Sequence, residues 1–135
     1  MTQPLSPPPD PQWITSRNAA RYQIIGWGAP YFAINEAGHV TVRPDPTQDR
    51  TIDLYELTCD LKARGSDLPL LIRFSDIVRD RLRKLNDSFQ KAIEEYGYPG
   101  TYRGVYPVKV NQQRRLVEEI VEYGRPWRFG LEAGS

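Results

Sequence analysis

From residue 68 onward, short apolar runs alternate with amphipathic helical stretches, and that order constrains the fold more than any other feature. Residues 68–74 are apolar except for Pro69 and Arg73, lie between Asp67 and Ser75, and read as a buried strand. Val78, Leu82, Leu85, Phe89, Ile93 and Tyr96 then recur at three- and four-residue steps. This spacing predicts a helix over 76–96, with Ser75 as N-cap and Gly97 as terminator. Its other face carries Arg79, Arg81, Arg83 and Lys84 among Asp76, Asp80 and Asp87, the mixture of a solvated surface rather than of a nucleic-acid groove. After a turn at Tyr98-Pro99-Gly100 comes a second apolar run, 105–111. A helix over 113–123 follows, striped by Leu116, Val117, Ile120 and Val121 and closed by Gly124. Finally Trp127, Phe129 and Leu131 alternate with Arg128, Gly130 and Glu132, the pattern of a strand. The order β-α-β-α-β predicts an α/β fold with parallel strands and right-handed crossovers. Three such strands with two helices leave open edges and bare apolar surface, so the pattern predicts the N-terminal portion of a larger α/β protein, incomplete as it stands.

The first 66 residues read differently. Residues 1–12 hold Pro4, Pro7, Pro8, Pro9 and Pro11 with little apolar content, which predicts a disordered leader. Residues 13–66 form an accessory region. In it, Tyr31-Phe32-Ala33-Ile34 and His39-Val40-Thr41-Val42 flank Asn35-Glu36-Ala37-Gly38, which predicts a β-hairpin. A short helix follows: Asp53 and Glu56 have capping-box spacing, Leu54, Leu57 and Leu61 make a stripe, and Gly65 ends it. His39 has no partner carboxylate nearby in sequence and reads as a surface strand residue. The remainder, 67–135, is the βαβαβ segment.

Composition removes several function classes. A length of 135 residues allows one domain at most, and a net charge of +1 offers no bulk attraction to nucleic acid or an anionic membrane. No apolar run approaches a membrane span, and no signal segment opens the chain. Cys59, the single cysteine, cannot form an internal disulfide, which fits a reducing cytoplasm; it lies off the helical stripe with no activating neighbour. With one histidine and one cysteine, no zinc site is expected.

Lys109 carries the chemistry. It stands in the run Gly104-Val105-Tyr106-Pro107-Val108-Lys109-Val110-Asn111, and a lysine inside a buried strand must be paired or must react. Desolvation favours the free amine, and the commonest use of such a lysine is a Schiff base with a carbonyl substrate or pyridoxal phosphate. The competing reading is a lysine that carries its ammonium to solvent from a strand edge or end. An extended 105–111 would put Val105, Pro107, Lys109 and Asn111 on one face, with Lys109 near the C-terminal strand end where parallel α/β folds bind ligands.

Several segments together resemble the N-terminal region of the biosynthetic arginine decarboxylases, pyridoxal-phosphate enzymes of the alanine racemase-like barrel class. They are Gly26-Trp27-Gly28-Ala29-Pro30-Tyr31-Phe32, Asn35-Glu36-Ala37-Gly38-His39-Val40, Leu70-Leu71-Ile72-Arg73-Phe74, the Lys109 run from Tyr102 to Gln112, and Phe129-Gly130-Leu131-Glu132-Ala133-Gly134-Ser135. The resemblance implies a TIM-like β/α barrel beginning near Leu68, preceded by the hairpin region. It implies that Lys109 holds pyridoxal phosphate as a Schiff base and that Glu132, an acid at the end of the next strand, lies close to lysine and cofactor. A solvent-facing strand-end carboxylate is the alternative for Glu132. The implied reaction converts L-arginine to agmatine and carbon dioxide, on the way to putrescine and spermidine, in a cytoplasmic homo-oligomer. Magnesium is associated with the family, and no residue here is assigned to it.

The resemblance also implies what this chain lacks. Later barrel strands supply the phosphate-binding glycine loop, the acid facing the pyridine nitrogen and the ring-stacking residue, so the chain alone is expected to be inactive. The family's catalytic cysteine comes from elsewhere and is not Cys59. Alternative readings are a related decarboxylase acting on ornithine, lysine or diaminopimelate, or a non-catalytic fragment that binds an intact homologue.

Overall fold

The computed structural model describes residues 11–134, so the expected leader lies outside the described residues except for Pro11 and Gln12. Two compact units divide at Ile72 and Arg73. Among the described residues, no helix is long and apolar enough to cross a membrane.

The first unit opens with helices α1 (Pro11–Arg21) and α2 (Ile24–Gly28). Strands β1 (Phe32–Ile34) and β2 (Val40–Val42) pair antiparallel, Phe32 opposite Val42 and Ile34 opposite Val40. The turn between them needs Gly38, at φ +81°, and is closed by the Asn35 N–H donating to the His39 carbonyl at 3.0 Å. A third strand, β3 (Ile52–Asp53), pairs with β2 and runs directly into helix α3 (Leu54–Ala63). Among the described residues, Ile24, Tyr31, Val42 and Pro44 are buried apolar side chains of this unit.

Asp53 begins α3 by accepting from the Tyr55 and Glu56 backbone N–H groups. Its other carboxylate oxygen takes Asn35 Nδ2 at 2.7 Å and His39 Nδ1 at 2.8 Å. The expectation that His39 lacks a carboxylate partner is therefore corrected. The partner is fourteen residues away in sequence, and the β2–β3 pairing brings it close.

The second unit is built on helix α4 (Ser75–Tyr96), strand β4 (Val105–Pro107), helix α5 (Arg114–Gly124) and strand β5 (Gly130–Glu132). The strands pair in parallel, Val105 with Gly130, Tyr106 with Leu131 and Pro107 with Glu132. Gly97 ends α4 at φ +59°, with the Tyr98 N–H returning to the Ile93 carbonyl. Ser75 is the first helical residue rather than its cap, because its hydroxyl donates to Glu119 Oε1 on α5 at 2.8 Å. Leu82 is buried, whereas Leu85 is 41% exposed beside an open apolar groove that it shares with Ile77, Tyr106, Ile120 and Phe129. Asp80 belongs to the interior and not to a solvated face. It is 6% exposed and takes Arg83 at 2.6 Å and Lys84 at 2.7 Å.

Two expected strands differ. Residues 68–74 form no strand, and Leu71 is 73% exposed. An apolar run becomes a strand only where a neighbour takes its backbone hydrogen bonds, and Pro69 has no N–H to offer. The last strand is confined to Gly130–Glu132, because residues 125–127 make a 3-10 turn and Arg128 adopts φ +53°. The Phe129 N–H then closes on the Gly124 carbonyl at 3.1 Å. Gly124 is needed here for space rather than conformation, since its φ is −78° and a side chain would strike Phe129.

Candidate functional site

The C-terminal ends of β4 and β5 hold the candidate site, at the end where parallel α/β folds bind ligands. Strand β4 ends at Pro107, whose φ is −72°, and the chain turns at once into a 3-10 helix over residues 108–110. Lys109 is the middle residue of that turn. It is exposed, as is Val110 at 71%, so the expected burial of its ammonium is corrected. Apolar neighbours in sequence do not bury a residue once the strand has stopped two positions earlier. The shared face of an extended 105–111 disappears for the same reason.

Glu132 ends β5 opposite Pro107. It too is exposed. The position that a Cβ on Gly134 would take lies 2.6 Å from Glu132 Oε1 and 3.9 Å from Lys109 Nζ. The two head groups therefore share one small volume beside Gly134, and a larger residue there would displace the carboxylate. Among the described residues, Lys109 keeps no ion pair and Glu132 no hydrogen bond, so both head groups face solvent beside each other. Their separation in sequence is large, and only the strand register brings them together.

Two contacts frame the turn. The Tyr106 hydroxyl donates across it to the Asn111 carbonyl at 3.1 Å, and Asn111 Oδ1 accepts from the Gln113 N–H at 3.1 Å just before α5. Sequence reasoning missed both. Behind the strands, the Phe129 ring lies against Gly104 and Gly124, and Gly130 N–H donates to the Gly104 carbonyl at 2.9 Å. These contacts hold β5 in register with β4.

Lys109 offers an exposed primary amine able to condense with an aldehyde, and in that respect the residues fit pyridoxal phosphate. Among the described residues, no group of three His, Cys, Asp or Glu side chains could hold a metal ion.

No family model matches the chain. It is 58% identical over 123 residues to the biosynthetic arginine decarboxylase of Gloeobacter violaceus, covering 91% of this chain and 19% of that protein. Against the enzyme of the same name from Nostoc sp., identity is again 58%, covering 91% of this chain and 18% of the relative. The crystal structure of the biosynthetic arginine decarboxylase from Campylobacter jejuni superimposes with a TM-score of 0.72 at 33% identity, over 84% of this chain and 19% of that one. Over 91% of its length, and across 19% of theirs, this chain is a homologue of the biosynthetic arginine decarboxylases.

Proposed function

We propose that this chain forms part of a pyridoxal-phosphate-dependent arginine decarboxylase and supplies its cofactor-anchoring lysine. The observation that supports this most strongly is the placement of Lys109 and Glu132 together beside Gly134, at the C-terminal ends of two parallel strands. Ligands of parallel α/β folds bind at that end. On this reading the second unit begins a β/α barrel, the first unit belongs to an accessory region, and the intact protein is a homo-oligomer acting on L-arginine in the cytoplasm. No residue of this chain is assigned to magnesium.

Lys109 would hold the cofactor through its exposed amine. When bound, pyridoxal phosphate supplies an electron-withdrawing ring over which the charge left by departing carbon dioxide is spread. The chain's own part is placement and charge. The 3-10 turn presents the amine above the strand ends, and Glu132 sets a carboxylate near it at the end of the neighbouring strand. Anchoring by Lys109 would keep the cofactor in one geometry between turnovers, when no substrate is bound.

The test is carbon dioxide release from carboxyl-labelled arginine by the intact protein, beside ornithine, lysine and diaminopimelate. Release from arginine above the other three, lost in Lys109→Ala, is expected. Undiminished release by Lys109→Ala would reject the role of the lysine, and preference for another amino acid would reject the substrate.

A further inference from the structure

The turn that carries Lys109 is weakly built in itself. It is a single three-residue 3-10 helix, a form with poor hydrogen-bond geometry, and Lys109 and Val110 are both exposed. Burial cannot hold it in place. It is held instead at its two ends. On one side Pro107 has a fixed φ and is paired in register with Glu132. On the other, the Asn111 side chain accepts from the Gln113 N–H in the turn that precedes α5. The Tyr106 hydroxyl joins the two ends by donating to the Asn111 carbonyl at 3.1 Å, closing a ring of chain around residues 107–110.

From this geometry we infer that Tyr106 is a positioning residue for Lys109, acting through the Asn111 carbonyl. The inference rests on the reading of Lys109 as the cofactor-anchoring residue. The Tyr106 ring is half-buried and lines the apolar groove with Ile120 and Phe129, so the ring is anchored by packing and the hydroxyl alone reaches the turn. Tyr106 touches neither substrate nor cofactor on this account. Its bond restricts where the exposed amine can swing, which matters because small misplacements of a reacting group cost rate steeply.

Tyr106→Phe keeps the ring and removes the donor, and it is tested in the intact protein. Losing one net hydrogen bond corresponds to about a five-fold change in the closed-to-open ratio of the turn. Amide hydrogen exchange in cofactor-free protein should accelerate about five-fold at Val110, whose N–H the 3-10 turn bonds, and stay unchanged at Ile120. In the loaded protein kcat should fall by a similar factor with KM for arginine within about two-fold, the split expected when orientation rather than binding is lost. Placing 4-aminophenylalanine at position 106 restores an N–H donor and should restore both readings. Unchanged exchange and kcat in Tyr106→Phe, or losses that 4-aminophenylalanine fails to rescue, would overturn the inference while leaving Lys109 in its role. Full activity in Lys109→Ala would instead overturn the reading on which it rests, and the inference with it.

Discussion

Pro107 and Glu132 face each other across the parallel pair β4–β5, so the strand that ends just before Lys109 ends level with an acid. That register makes Glu132 the neighbour of the Lys109 amine, and it suggests a direct test of the carboxylate. Glu132→Gln keeps shape and removes charge. In the intact protein it should lower kcat by more than ten-fold with little change in thermal stability, since both side chains are exposed. Steady-state kinetics beside a melting curve checks this, and a stability loss without a rate loss would assign Glu132 to structure.

Gly124 and Phe129 define a tight spot behind the site. A side chain at Gly124 would meet the Phe129 ring and its Cβ, so Gly124→Ala should destabilise by about 1–3 kcal/mol through overpacking. Equilibrium urea unfolding of the intact protein measures it. Combining the change with Phe129→Gly, which removes the Cβ that the added methyl meets first, should cost less than the sum of the two single changes.

Along α4, burial rather than periodicity decides the ranking. Leu82, 8% exposed, should lose about 2–5 kcal/mol on replacement by alanine. Lys91→Ala, exposed on the opposite side of the helix, should stay within about 0.5 kcal/mol. Leu85→Ala falls between them if its exposure persists in the intact protein. Equal losses at positions 82 and 91 would reject the assigned face.

Asp53 contributes to the dependence of stability on pH. Desolvation pushes its carboxyl upward, but the Glu56 N–H, His39 and Asn35 together outweigh that and hold it below the ordinary value of 3.8. A group with a lowered folded value stabilises the fold above its unfolded value, and that contribution is lost as pH falls through the folded one. The denaturation midpoint of the intact protein should therefore drop less between neutral pH and pH 3 in Asp53→Asn than in the unsubstituted protein. Parallel curves would remove Asp53 from the account of acid sensitivity.

Local signals were legible where chemistry and position coincide in a few residues. The Asn35–Gly38 turn, the Asp53 cap, the Gly97 terminator and the stripes of α4 and α5 are each specified within about one helical turn of sequence. What depends on distant partners was not. Residues 68–74 have strand composition, yet strand formation needs a neighbour that composition cannot reveal. The apolar run around Lys109 suggested burial, while the structure ends the strand at Pro107 and leaves the lysine exposed. Pro107 itself was the available signal, since it removes a ladder donor at that point. His39 with Asp53, Ser75 with Glu119, and Phe129 between two glycines are all long-range pairings with no local signature.

The central claim is that Lys109 is the amine that anchors the cofactor. Borohydride reduction of the intact protein after incubation with pyridoxal phosphate, followed by peptide mapping, tests it most directly. The account predicts a pyridoxyl group on Lys109 at near-stoichiometric yield, lost in Lys109→Ala, with only trace labelling of Lys62, Lys84 and Lys91. Stoichiometric label on any of those three, or on a lysine outside this chain while Lys109 stays unmodified, would contradict it.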